Sequence, residues 1–181
     1  VALTLVPFGD IQALLELNGS SLGEYPALEW IVDNVQAALE AFLGRELEQK
    51  ERTEEVLLPA SGTAQVPLAA LPVRSVASVT VDGETEDNYQ RTPYGIRLPA
   101  QRSAVPVEVT YTGGFDDSTL PAAIQRAAVY QAAYEYQAHE FVGAQAIDTE
   151  GGTVNRPELG LLGHVRAQLH PYIHPLRTVV I

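Results

Sequence analysis

A chain of 181 residues is long enough for one domain that buries roughly 70% of its extended-chain surface, and its 23 acidic against 11 basic side chains leave a net charge of −12. That balance, with Lys50 the only lysine among the bases, argues against binding the outside of a nucleic-acid backbone, which needs clustered cations to displace counterions. No apolar run approaches the ~20 residues that span a bilayer, and with no cysteine there are no disulfides, thiolate metal ligands or thiol nucleophile.

The opening stretch, residues 1–10, lacks the basic region and cleavage pattern of a signal peptide, so none is expected. A first helix is expected over about 8–17, with Ile11, Leu14 and Leu15 on one face and Asn18-Gly19 as its stop. Asn18-Gly19-Ser20 also spells a glycosylation acceptor, which without a secretory signal reads as coincidence. Ser21 and Glu24 have capping-box spacing, but Pro26 prefers the first position of a helix, where its missing N–H is not needed. The second helix is therefore expected at about 25–43. Leu28, Ile31, Val32, Val35, Leu39 and Phe42 fall on one side, Glu29, Asp33, Gln36 and Glu40 on the other, and Gly44 caps the end.

From about 50 to 115 the apolar period changes to two. Strands are expected at 53–58, 63–68, 73–81, 88–91, 96–98 and 105–111, separated by turn signals at 59–62, Asp82-Gly83 and Pro93-Tyr94-Gly95. Val73, Val79 and Val81 share a parity that Val76 breaks, which implies either a bulge or a strand buried on both faces. Pro67, Pro72, Pro99 and Pro106 mark edges and strand ends. A third helix, about 121–142, begins at Pro121 and carries Ala123, Ala127, Tyr130, Tyr134, Gln137 and Phe141 at spacings of 4, 3, 4, 3 and 4. Its many alanines permit close approach on more than one side, so Tyr130, Tyr134 and Phe141 become candidates for a contact with a neighbouring subunit. Residues 143–152 read as an extended linker, and 159–169 as a short helix that needs a partner to be stable. The fold class is thus α+β: a small helical bundle with an inserted antiparallel β-sheet or sandwich. The core spans 1–142 and an extended tail 143–181.

Catalytic chemistry is not legible. His139-Glu140 has no second histidine at metalloprotease spacing, and Pro171 and Pro175 break the helix that would align His164, His170 and His174 on a metal. Ser61 and Ser75 sit in no nucleophile elbow, and Gly113-Gly114 is followed by neither the lysine nor the hydroxyl of a phosphate loop. No catalytic residue, metal or cofactor is expected. Residues after Gly151 hold Arg156, Arg166 and Arg177 against the single acid Glu158, so the excess of acid lies in the first 150 residues.

The order of motifs is more particular than any one of them. A helix ending Leu39-Glu40-Ala41-Phe42-Leu43-Gly44-Arg45 is followed by Pro72-Val73-Arg74-Ser75-Val76-Ala77-Ser78-Val79-Thr80-Val81-Asp82-Gly83. Val109-Thr110-Tyr111-Thr112-Gly113-Gly114-Phe115 comes next, and then the proline-started, alanine-rich helix with a tyrosine-rich centre. Over roughly residues 5–142 this resembles the head–tail connector (adaptor, or head-completion) family of tailed bacteriophages. The chain departs from that pattern before the second helix, where Ser20-Ser21-Leu22-Gly23-Glu24-Tyr25-Pro26 stands in place of an Asp-rich start. The resemblance implies a non-enzymatic virion protein, assembled in the host cytoplasm into a dodecameric ring beneath the portal. Such a ring extends the channel for double-stranded DNA and presents a surface to the next neck or tail-completion protein, with no membrane involved. Acidic groups facing the channel would repel phosphates, and Glu84, Glu86, Asp87, Asp116 and Asp117 are the candidates for channel or rim positions; the alternative is that they are solvated turn residues. Portal docking is expected from Arg156, Leu159, Leu161, Leu162, Val165, Arg166, Leu169, Tyr172 and Ile173, unless this segment folds back on its own domain. The competing functional readings are a monomeric binding module whose β-insert recognises a peptide or sugar, and a weak hydrolase assembled from distant residues.

Overall fold

The computed structural model describes residues 3–139, 146–149, 152–155 and 160–174, with the backbone alone at 146–149 and 152–155. The chain forms two compact units: residues 4–43 and 120–173 make a helical unit, and Gly44–Thr119 with His174 makes a β unit. The β unit is therefore an insertion in the sequence of the helical one. Residues 160–173 belong with the helices, where a separate docking tail beginning at 143 was expected.

In the helical unit, α1 (Phe8–Leu15) stops earlier than the Asn18-Gly19 signal implied, because Glu16 itself takes a left-handed backbone with φ 54°. The Gln12 side chain holds the turn that follows, its Nε2 donating to the carbonyls of Leu17 and Gly19 at 3.2 and 2.8 Å. Only Ile11 of the expected apolar face is buried, and Leu14 is 43% exposed. Ser21 and Glu24 form no capping box. Instead Leu22–Glu24 is a 3-10 turn, and Glu24 Oε1 accepts from the backbone N–H and hydroxyl of Ser20 at 2.9 and 2.6 Å. α2 (Pro26–Leu43) begins at the proline, buries Leu28, Ile31, Val35, Leu39 and Leu43, and ends at Gly44, which has φ 69°. Its outward face carries Trp30.

α3 (Ala122–Ala138) is the centre of this unit, packing against α1, α2 and α4 (Gly163–Leu169). A helix with neighbours on three sides buries more than one stripe: Ile124, Ala127, Ala128, Val129, Gln131, Ala132 and Ala133 are all covered. The alanines bring the flanking helices close. The stripe read from the sequence was therefore displaced, since Tyr130 and Gln137 lie exposed on the one side of α3 left uncovered. Where an extended linker was expected, β8 (Ala146–Thr149) and β9 (Gly152–Asn155) pair as an antiparallel hairpin.

The β unit holds seven strands in two antiparallel sheets. β1 (Lys50–Leu57), β7 (Pro106–Gly113), β3 (Val73–Val81) and β4 (Glu84–Thr85) make one, in the order β1-β7-β3-β4. β2 (Thr63–Pro67), β6 (Gly95–Arg102) and β5 (Gln90–Thr92) make the other, in the order β2-β6-β5. Both contribute to one apolar core that includes Val66, Ile96 and Leu98 from the smaller sheet and Val79, Val107, Val109 and Tyr111 from the larger. The broken parity of β3 has the first of the two explanations the sequence left open: the register against β7 shifts between Val73 and Ser75 and again between Val76 and Ser78, two bulges in one strand. Asp82 and Gly83 then take φ 53° and 80°, the left-handed pair that closes a tight β3–β4 hairpin.

The Gly113-Gly114 pair is a packing requirement. A Cβ on Gly113 would lie 2.3 Å from the Ala70 carbonyl oxygen, and one on Gly114 2.5 Å from that of Glu48. Two residues earlier, the Tyr111 side chain is fully buried. Its hydroxyl donates to Glu54 Oε1 at 2.5 Å and accepts the Ala70 N–H at 2.9 Å, while Glu54 Oε2 accepts the Ala69 N–H at 3.0 Å. One phenol thus ties β7 to β1 and to the loop before β3. β1 is an edge strand, and its inward-pointing side chains include Arg52, paired with Glu46 at 2.8 Å, and Glu54. Leu57 on its other face is 72% exposed.

Burial, and then the Glu54 carboxylate, push the Tyr111 phenol well above its ordinary value near 10. A group whose pKa is raised on folding contributes stability that is complete below its unfolded value and is lost as pH climbs past it. Urea unfolding should accordingly show a midpoint that declines above about pH 10. Tyr111→Phe should cost about 1–3 kcal/mol at neutral pH, by leaving the Ala70 N–H without its acceptor and one Glu54 oxygen without its donor. The same substitution should flatten the alkaline decline; a midpoint and alkaline slope equal to those of the unsubstituted protein would contradict this role.

Candidate assembly surfaces

An open groove of about 250 Å³ runs along the uncovered side of α3. Leu14 of α1, Tyr130, Ala133, Tyr134 and Gln137 of α3, and Leu162 and His164 at the start of α4 line it. The Tyr130 and His164 rings meet edge to face with centroids 6.2 Å apart. Leu14 and Tyr130 also border an adjoining hollow with Asp10, Gln125, Arg126 and Val129. Tyr130 and Tyr134, two of the three expected subunit-contact residues, thus sit side by side, while Phe141 falls outside the described residues. Sequence reading missed Leu14 as a surface residue, because its helical spacing matched that of Ile11 and nothing in the sequence marked the helix as ending at Leu15.

The C-terminal segment is seated on α3 by a buried amide. Gln131 is fully enclosed, and its Nε2 donates to the Gly160 carbonyl at 3.1 Å and to Glu135 Oε1 at 2.8 Å. Its Oε1 accepts the Leu162 N–H at 3.0 Å, and Gln168 Nε2 donates to the Ala123 carbonyl at 3.0 Å. Leu161, Val165 and Leu169 are consequently buried within their own unit. This corrects the expectation that they form an exposed docking stripe: the segment folds back, as its alternative reading had it, because an apolar face this short needs a partner and α3 supplies one. Of the other expected docking residues, Arg166 is exposed, Leu162, Tyr172 and Ile173 are half-buried, and Arg156 and Leu159 lie outside the described residues.

Two of the expected rim acids, Asp116 and Glu86, bond within their own loops. Asp116 is a turn staple: Oδ1 accepts from the Ser118 and Thr119 backbone N–H groups at 2.9 Å each and from their hydroxyls at 2.7 and 2.9 Å. These bonds, the Ser118 bond foremost, hold its carboxyl below the usual carboxylate range. Glu86 Oε1 accepts the Asn88 N–H at 3.1 Å, and its other oxygen lies 4.0 Å from Arg102 Nη2. Glu84, Asp87 and Asp117 are exposed, and the β3–β4 turn adds exposed Asp82, which the sequence reading had treated only as a turn former.

Nothing among the described residues groups three or more potential metal ligands. His174 Nε2 lies 3.0 Å from the Leu68 carbonyl inside the β unit, and His164 packs on Tyr130. Among the described residues no helix is long and apolar enough to cross a membrane.

If Gln131 fixes the C-terminal segment, Gln131→Ala should remove the side-chain partners of the Gly160 carbonyl and the Leu162 N–H and loosen residues 160–173 ahead of global unfolding. Backbone amides of that segment should exchange at least ~5-fold faster, corresponding to roughly 1 kcal/mol of local stability. Unchanged protection would mean that the apolar contacts of α4 suffice alone.

No protein-family model and no curated protein matches this chain. Solved structures that share its fold include a chain in the neck of an empty gene transfer agent (GTA) particle resolved with C6 symmetry, 20% identical, with a TM-score of 0.59 over 93% of this chain and 89% of that one. A chain of the virion of a native GTA particle is 18% identical at a TM-score of 0.61, again over 93% and 89%. A third, from the neck of a native GTA particle resolved with C12 symmetry, is 18% identical at a TM-score of 0.56, over 91% of this chain and 88% of that one. The α+β fold of this protein is that of chains found in phage-like particles.

Proposed function

We propose that this protein is a non-enzymatic structural component of the neck of a phage-like particle, a connector that assembles as a ring below the portal and continues the DNA channel. The observation that carries the reading is the extent of the fold match, which takes in nine-tenths of both chains in structures described as GTA necks. Those necks were resolved with C6 and C12 symmetry, which supports a cyclic, twelve-fold arrangement here too. The motifs shared with the head–tail connector family fall on the features that build the β unit: the two bulges of β3, the tight Asp82-Gly83 turn, and the Gly113-Gly114 approach.

Charge suits the task. A ring that lets duplex DNA slide must not grip phosphates, and a chain with 23 acids against 11 bases is suited to that. Glu84 and Asp87 after the β3–β4 turn, with Asp117 in the loop before α3, are the acids assigned to the channel or its rim. Asp116 and Glu86 serve their own loops. For the portal, the face left available after α4 has docked on α3 comprises Arg166, Leu162, Tyr172 and Ile173, and Arg156 and Leu159 are assigned to the same contact. The next neck or tail-completion protein takes the opposite end of the ring.

Native mass measurement and negative-stain imaging of the protein, alone and mixed with its portal, should give rings in at least one sample. A strict monomer in both would overturn the connector reading. Replacing Glu84, Asp87 and Asp117 together by lysine should increase retention of duplex DNA by the ring at low salt and lose that effect as salt rises. Retention equal to that of the unsubstituted ring would remove these acids from the channel.

A further inference from the structure

We propose that the β8–β9 hairpins of neighbouring copies join edge to edge, β9 of one copy adding to β8 of the next, into a closed antiparallel belt around the axis of the ring. The proposal rests on the ring reading and names one contact within it. β8 and β9 pair with each other over four residues each, without a register shift. Among the described residues neither strand packs substantially against any other element. A two-stranded hairpin alone is marginal in water, so this one needs further strands beside it. Its sequence suits the pleat, since Ile147, Thr149, Thr153 and Val154 are β-branched.

A free edge presents unpaired N–H and C=O groups whose natural partner is another strand. The other edges of the chain are poor acceptors. β1 carries Arg52 and Glu54 inward, β2 ends in Pro67, and β4 and β5 are only two and three residues long. β8 and β9 hold no lysine, proline or bulge, the devices that guard an edge, and Asp148 is their one charged residue. The hairpin of a second copy is therefore the acceptor. Copies related by rotation about one axis keep every β8 running one way and every β9 the other, so β9 meets the next β8 antiparallel, the better-bonded arrangement. Charge selects the same pairing. Asp148 has Thr153 as its partner within the hairpin. In an alternating belt the Asp148 positions lie two strands, about 9.6 Å, apart, near the Debye length. Pairing β8 with β8 would instead set acids on adjacent strands. Joining unlike edges is a head-to-tail contact, the kind that closes into a ring. A belt of twelve hairpins, at ~4.8 Å between strands and a tilt of ~35–45°, is about 45–50 Å across and lets a duplex through. Strands this short pair weakly, so the belt forms only once the subunits are gathered.

The chain has no cysteine, which makes single-cysteine variants specific probes. Four full-length variants, Ile147→Cys, Asp148→Cys, Thr153→Cys and Val154→Cys, are to be assembled and mildly oxidised, singly and in mixtures. Mixing a β8 variant with a β9 variant should give disulfide-linked dimers in rings, because paired strands bring Cα atoms within the ~4.4–6.8 Å that a disulfide spans. Amides of residues 146–149 and 152–155 should exchange at least ~10-fold more slowly in the ring than in the monomer. Replacing residues 146–155 by a Gly/Ser linker should leave thermal unfolding of the monomer unchanged and weaken assembly at least ~10-fold. Rings that give no β8–β9 disulfide in any mixture would overturn the belt and leave the connector reading standing, whether the hairpin amides are then open or covered by the portal. Rings that assemble equally well without the hairpin would do the same. A chain that stays monomeric, alone and with its portal, would overturn both.

Discussion

The amide of Gln131 decides what the helical unit can offer. Buried polar groups must be paired, and this one is paired three times, with Glu135, with the Gly160 carbonyl and with the Leu162 N–H. The pairing fixes where the chain re-enters the bundle after the β8–β9 hairpin. It sends Leu161, Val165 and Leu169 into the interior and brings Leu162 and His164 alongside Tyr130. Without it, α3 would be an alanine-rich rod with an uncovered side. With it, that side becomes a groove. A leucine at position 131 would be the more ordinary interior choice, but a leucine could not dictate the register of a returning segment.

Much of the architecture was legible from local signals. The start of α2 at Pro26 and its stop at Gly44 follow from two residues with fixed backbone preferences, and Leu28, Ile31, Val35 and Leu39 of its buried face follow from spacing, while the last turn buries Leu43 and leaves the expected Phe42 half-buried. The irregularity of β3 was visible as a break in alternation, which left a bulge and burial on both faces open until the register decided for bulges. What failed were readings that depended on neighbours. The α3 stripe was misplaced because periodicity assumes one buried side, whereas three helices surround this one. Leu14 was assigned to the interior because nothing local announced that Glu16 would turn left-handed. The C-terminal leucines were read as a docking stripe, since a sequence says that an apolar face needs a partner but not whose.

The candidate site was less legible than the fold, and for a related reason. Catalytic sites leave tokens of chemistry at short spacing, while assembly surfaces are composites of ordinary residues from distant segments. Leu14, Tyr130 and His164 come from three helices spread over most of the chain. The conspicuous motifs, by contrast, turn out to be architectural. The Gly-Gly step lets backbones approach, the buried tyrosine before it anchors an edge strand, and Asp82-Gly83 closes a hairpin.

The inward charges of β1 bear on how many copies can join. An open sheet edge is a template without a count: any chain can add a strand, and the next can add to that, until the product is a fibre. Arg52 and Glu54, turned inward on this edge and held there by Glu46 and Tyr111, make extension by a foreign strand costly. For the ring proposed above, such growth would be a competing outcome. By blunting the route that never terminates, the edge leaves association to contacts whose geometry can return to its starting point, and so it favours a finite object over an endless one.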